Sequence, residues 1–320
     1  RPSRGIWGME DLQALSKIIN EDVAEWNNLT LNELVDDKGV IRVFTDIEFD
    51  TTDEFAPIGT EANPFERYVF DGNGYTISGF SLKNTAENNQ GLFGVVGDST
   101  TIKNVTVKNV LVEGKDNTGV LIGRTIDGSD GILIDHCFTS DSEVMGEENV
   151  GGLIGYCTAN ATVRNCGALT TSVSGNENVG GFSGMNEGEV GNSYAQTKSI
   201  LCYGTGGGFV GRNLASIRNC YTSASFSYGN ENCGAFAGYH QAGGTATYCF
   251  WNVECINNTT CSKKVANSTY DNDGLEITPS GFWGLSFNKS DGRIAQTDYR
   301  ALYDDLNNYI INNPTLTADY

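Results

Sequence analysis

One short phrase recurs through the middle of the chain and limits what it can fold into. It reads Asn149-Val-Gly-Gly-Leu-Ile-Gly155, Asn178-Val-Gly-Gly-Phe-Ser-Gly184, Thr205-Gly-Gly-Gly-Phe-Val-Gly211 and Asn232-Cys-Gly-Ala-Phe-Ala-Gly238. Earlier copies stand at Asn117-Thr-Gly-Val-Leu-Ile-Gly123 and, more loosely, at Asn89-Gln-Gly-Leu-Phe93, which makes six. Their large apolar anchors are Phe93, Leu121, Leu153, Phe182, Phe209 and Phe236, spaced by 28, 32, 29, 27 and 27 residues. Glycine precedes every anchor by two positions and follows it by two in all copies but the first, where Val95 stands. Self-similarity at a near-constant period is the signature of a repeat architecture.

A second phrase keeps the same beat: Ile102-Lys-Asn-Val105, Ile134-Asp-His-Cys137, Val163-Arg-Asn-Cys166, Val190-Gly-Asn-Ser193, Ile217-Arg-Asn-Cys220 and Ala246-Thr-Tyr-Cys249. A third closes each unit with Gly114, Gly146, Gly175, Gly204 or Gly229 after an extended run. Each unit therefore reads as three short strand-like runs, with no helical period between them. Runs this short bury their apolar positions only by stacking unit on unit, each strand pairing in parallel with its equivalent one coil away. The expectation is an all-β fold, a right-handed parallel β-helix (solenoid) of about seven to eight coils, since parallel crossovers are overwhelmingly right-handed.

Stacking turns equivalent positions into columns. Cys137, Cys166, Cys220 and Cys249, with Val105 and Ser193 in the same register, should form an inward ladder of small side chains. The recurrent glycines fit places of positive φ or close backbone approach. Asn89, Asn117, Asn149, Asn178 and Asn232 suit left-handed turns and amide ladders between coils.

The Asn-Val-Gly-Gly-Leu-Ile-Gly phrase followed by Val-Arg-Asn-Cys resembles the GLUG motif, a repeat of bacterial surface and secreted proteins that also occurs in some immunoglobulin A protease-like proteins. Glu10-Asp-Leu-Gln-Ala-Leu15, Pro57-Ile-Gly59 and Phe70-Asp-Gly-Asn-Gly-Tyr-Thr-Ile-Ser-Gly79 resemble the segment that usually precedes such repeats, so the resemblance covers roughly residues 5 to 255. It implies the β-helix fold and a secreted or cell-surface setting. The protease-like relatives carry a His-Glu-x-x-His zinc site; the only histidines here are His136 and His240.

Twenty Lys and Arg stand against forty Asp and Glu, a net charge of −20. A nucleic-acid partner needs a basic patch to displace counterions, and none is present, so neither nucleic acid nor an anionic membrane surface is expected. No apolar run is long enough to span a bilayer. The chain starts at Arg1 without a leader, which suggests a mature or trimmed form. Nine cysteines are too few for a disulfide scaffold. Cys255 and Cys261, in an Asn- and Thr-rich loop, are the candidate disulfide; Cys157, Cys202 and Cys233 have no evident partner.

Three regions are expected: a cap and first coil over 1–60, the repeats over 61–250, and a second cap over 251–320. Residues 8–20 read as an amphipathic helix with Met9, Leu12, Leu15 and Ile19 on one stripe, placed to cover the solenoid's open end. Residues 23–38 read as acidic loop, Ile41, Val43, Ile47 and Phe49 as the first coil, and 298–311 as a closing helix followed by Pro314.

Candidate chemistry is sparse. Asp116, Glu148, Glu177 and Glu231 lie five residues before their anchors, and stacking would bring their carboxylates together, either as a Ca²⁺ site or as a solvated acidic ridge. Asp127, Asp130, Asp135 and Arg124 are close in sequence, and β-helices host polysaccharide lyases and hydrolases that need such groups in a groove. Against this, His136 stands where Asn104, Asn165, Asn192 and Asn219 stand in other units, a substitution within a structural column. No catalytic set and no cofactor is assigned. The expected function is non-enzymatic: an adhesin-like module or rigid spacer binding a host or cell-surface glycan or protein, with Tyr194, Tyr203, Tyr221 and Tyr228 as rings able to stack on sugars. A carbohydrate-active enzyme and a structural subunit of a surface assembly are the alternatives.

Overall fold

A computed structural model describes residues 3–50, 53–128, 131–228, 232–241, 244–247, 249–252, 265–268 and 282–285. Contacts divide the chain into Arg1–Gly284 and Leu285–Tyr320. The expected helix over 298–311, and Cys255 and Cys261, lie outside the described residues.

The first unit is a right-handed parallel β-solenoid. A full coil has five short walls where sequence reading expects three runs, met in one coil as Thr101–Lys103, Thr106–Lys108, Leu111–Glu113, Thr118–Gly119 and Ile122–Thr125. The first wall is an eight-stranded sheet running from Val40–Arg42 to Thr245–Thr247, so the solenoid makes about seven turns. At ~4.8 Å per coil that stack is roughly 34 Å long. The extra walls come from asparagine. Asn104, Asn165, Asn192 and Asn219, with φ of 50–54°, bend the chain between the first and second walls, while Asn109 and Asp141 do so between the second and third. Asn89, Asn117, Asn149 and Asn178, at 52–60°, open the glycine phrase.

The glycines serve close approach, with asparagine supplying the left-handed turns. A Cβ at Gly155 would lie 2.5 Å from the Asn117 carbonyl carbon, and one at Gly184 2.3 Å from that of Asn149. The glycine phrase thus nests under the asparagine turn of the preceding coil. Gly94, not Val95, belongs to this column, because Phe93 pairs with Ile122 and the first copy is one residue short. That shortened turn makes Val95 look exceptional in the linear sequence.

The interior holds Ile102, Ile134, Val163, Val190 and Ile217 from one wall facing Leu121, Leu153, Phe182, Phe209 and Phe236, all essentially inaccessible. Phe182, Phe209 and Phe236 stack with centroids 4.6 and 4.9 Å apart. Hydroxyls tie the walls across this lumen: Thr139 Oγ1 donates to the Gly152 carbonyl at 3.0 Å and Thr222 Oγ1 to Gly208 at 2.8 Å.

The helix Met9–Glu21 packs on the first coil and ends at Asp22 in the left-handed conformation. Its buried stripe is Asp11, Leu12, Ala14, Leu15 and Ile18; Met9 and Ile19, placed on the stripe by spacing, are only partly covered. Asp11 Oδ2 accepts from the Trp7 amide at 2.7 Å, and Ser16 Oγ donates to the Ala56 carbonyl at 2.8 Å. Residues 23–38, read as loop, instead contain an antiparallel pair, Glu25–Trp26 with Leu29–Thr30, and a one-turn helix, Leu31–Leu34, closed by a Thr30–Glu33 capping box.

Candidate functional site

The acidic edge lies at the start of the fourth wall. Glu148 and Glu177 are register neighbours, with Asp116 at the equivalent position one coil earlier. Parallel stacking forces these like charges together, and Glu177 turns its carboxylate forward onto the next coil. Its Oε1 accepts from the Thr205 amide at 3.2 Å, and Gly204 leaves the room, since a Cβ there would lie 1.9 Å from Oε2. Among the described residues no three His, Cys, Asp or Glu side chains converge to hold a metal; Glu231 lies outside them.

The cysteine stack sits between the first and second walls. The Cys137 amide donates to Cys166 Sγ at 3.4 Å and the Cys166 amide to Ser193 Oγ at 3.2 Å, while Cys220 hydrogen-bonds with Cys249. Thiols also point at carbonyls, Cys166 at Arg164 (3.0 Å) and Cys220 at Arg218 (3.1 Å). Burial, then the neighbouring sulfur, pushes the Cys166 and Cys220 thiols well above the ordinary range. So high a thiol pKa makes them weak nucleophiles in the folded coil.

Outside this stack the first wall carries alternating charge: Arg42, Asp71, Lys103, Asp135 and Arg164 follow one another in register. Arg42 and Lys103 each reach Asp71 at 3.7 Å, and Arg164 reaches Asp135 at 3.2 Å. Both aspartates also take an amide, from Asn104 (3.0 Å) and Asn165 (2.9 Å). Burial raises the Asp135 pKa, but the bonds from Asn165 and Arg164 and the charges of His136 and Arg164 outweigh it, leaving the group below its ordinary value. His136 occupies the asparagine column with φ 53° and meets Asp135 Oδ1 at 2.7 Å. Arg124 stands on the fifth wall, bound to Glu61 at 3.1 Å. Arg124 and Asp135 thus belong to different walls, and Asp130 lies outside the described residues.

Aromatic residues mark the outer surface. Tyr203 and Tyr228 are 57% and 49% exposed, with ring centroids 5.1 Å apart. Tyr194 and Tyr221 are half-buried register neighbours on the second wall. The Tyr194 ring lies across Gly167, where a Cβ would come within 2.5 Å of Cζ, and approaches Phe138 at 6.5 Å. Phe138 escapes sequence reading because Gly167 interrupts its column. A cleft of about 660 Å³ of mixed lining lies where the 56–62 loop meets the 84–90 turn, with Glu61, Glu87, Asn89 and Lys115 beside Pro57 and Val95. Glu61 accepts from Asn89 Nδ2 at 2.9 Å within it.

No family model matches the chain. In sequence it is similar to halomucin of Haloquadratum walsbyi, at 29% identity over 106 residues, 33% of this chain and 1% of that protein. It is also similar to a protein of Evansella cellulosilytica provisionally described as a Gly-rich membrane protein, at 31% identity over 136 residues, 34% of this chain and 16% of that one. The chain therefore matches only a small part of either relative. A crystal structure of a candidate immunoglobulin A1 protease from Bacteroides ovatus superposes with a TM-score of 0.57 at 19% identity, covering 78% of this chain and 77% of that one. At that identity the likeness establishes the shared solenoid fold. No helix among the described residues is long and apolar enough to cross a membrane.

Proposed function

We propose that the chain is a non-enzymatic, adhesin-like display module of a secreted or cell-surface protein, built from GLUG-type repeats and presenting a face that binds a glycan. The observation that carries this reading is the Tyr203–Tyr228 pair, two large rings side by side in water at the edge of a stiff β-column. Rings kept exposed forgo the gain from burial, and paired aromatic faces offer sugars the apolar stacking surface they need. The relatives support a modular role: about a third of this chain matches a small fraction of much longer chains, one of them described as a membrane protein. Burial of the thiols and the separation of Arg124 from Asp135 favour display over hydrolysis.

Glycan-array binding with the wild-type chain and a Tyr203→Ala/Tyr228→Ala variant tests this. Wild type should retain a defined glycan class, and the variant should lose it at least tenfold with its melting temperature unchanged. Release of reducing sugar from any bound polysaccharide would overturn the non-enzymatic reading.

A further inference from the structure

Thiols meet across neighbouring coils in three pairs: Cys137 with Cys166, Cys220 with Cys249, and Cys202 with Cys233. The first two pairs are register equivalents, each preceding a matched residue, Phe138 with Gly167 and Tyr221 with Phe250. Equivalent Cβ atoms in a parallel stack stand about as far apart as the strands, ~4.8 Å, which exceeds the roughly 3.5–4.5 Å that a disulfide spans. Those pairs are held as thiols.

The third pair is diagonal. Cys202 stacks on Gly175, and Cys233 stacks on Gly206, which belongs to the same coil as Cys202. A Cβ at Gly206 would lie 2.8 Å from Cys202 Sγ, 2.9 Å from Cys202 Cβ and 3.2 Å from Cys233 Sγ. Both sulfurs therefore occupy the space that a side chain at 206 would fill. One coil earlier the arrangement is reversed: Gly175 is bare, and Val150 and Val179 come within 2.8 and 2.9 Å of its absent Cβ. Moving the side chain from the 179 position to the 175 position is what lets the two sulfurs meet.

We propose that Cys202 and Cys233 form a disulfide that staples one coil to the next. One thiolate attacks a small disulfide such as oxidised glutathione, releasing one glutathione and leaving a mixed disulfide. The second thiolate then displaces the remaining glutathione, so the protein gives up two protons and two electrons and the small disulfide is reduced to two thiols. Hydrogen bonding to Cys233 and burial hold the Cys202 thiol well above its ordinary range, and both sulfurs are buried, so the finished bond is shielded.

The full chain, refolded in a glutathione redox buffer, is alkylated under denaturing conditions without reduction, digested and analysed by mass spectrometry. The expected result is a cross-linked peptide pair joining Cys202 to Cys233, two hydrogens lighter than the separate peptides, with Cys137, Cys157, Cys166, Cys220 and Cys249 alkylated whether or not Cys255 and Cys261 are joined to each other. In Cys202→Ala, Cys233 becomes alkylated, and the drop in melting temperature caused by reductant shrinks by roughly 5–10 °C. Finding Cys202 and Cys233 both alkylated in the refolded wild type, or joined to other cysteines, overturns the proposal.

Discussion

At the scale of single residues, the asparagine columns do two jobs at once. Asn149 holds φ at 55°, donates to Asn117 Oδ1 and accepts from Asn178 Nδ2, each at 2.9 Å. A non-glycine residue in that conformation costs about 1–2 kcal/mol, which asparagine tolerates best, and each ladder bond adds about 1 kcal/mol. Asn149→Ala should therefore lose about 2–4 kcal/mol in urea unfolding, while Asn149→Gly, which relaxes the backbone but breaks the ladder, should lose about half as much. Equal losses would contradict this division. Thr118 poses the opposite case. Its hydroxyl is buried without a hydrogen-bond partner at a position occupied by Val150 and Val179 in the next coils. Thr118→Val keeps the shape, removes the unpaired group and should raise stability by about 1–2 kcal/mol, read as a higher urea midpoint.

At the scale of a wall, columns with different chemistry end differently. Along the fifth wall Asn186 Nδ2 donates to Asn213 Oδ1 at 2.8 Å, and Asn213 Nδ2 lies 2.9 Å from His240 Nδ1. With Asn213 donating, His240 must stay neutral, and burial lowers its pKa below the ordinary 6.5. The unfolded chain then binds the proton more readily, so stability should fall as pH drops below about 6.5 and level off below the folded value. His240→Asn continues the amide column and should flatten melting temperature between pH 7 and pH 5; an unchanged slope would place the dependence elsewhere. This ending shows what linear reading catches. The period, the parallel stacking and the stretch given to the first helix are legible, because identical residues recur one coil apart. Strands as short as Thr118–Gly119 and Gly206–Gly207 are not, since two residues display no alternation. Nor is the meeting of Cys202 with Cys233, which occupy different columns of adjacent coils and so share no period.

At the scale of the whole solenoid, most pairings join residues 27 to 32 positions apart, and each coil leans only on the coils beside it. The candidate surface was less legible than the fold for that reason: the period reports what repeats, whereas Tyr203 and Tyr228 face outward at positions their neighbours do not share. Because Val179 pairs with Gly206 and Val150 with Val179, removing residues 179–205 excises one whole coil and leaves Gly206 opposite Val150, with each wall again stacked on its own kind. Such a shortened chain should keep its β-sheet circular dichroism and melt cooperatively, whereas removing about half a coil would set unlike walls on one another and should abolish the cooperative transition. The solenoid's reach is thus a quantity counted in whole turns, which lets gene duplication or loss set how far its tip stands from its base by adding or removing one coil at a time.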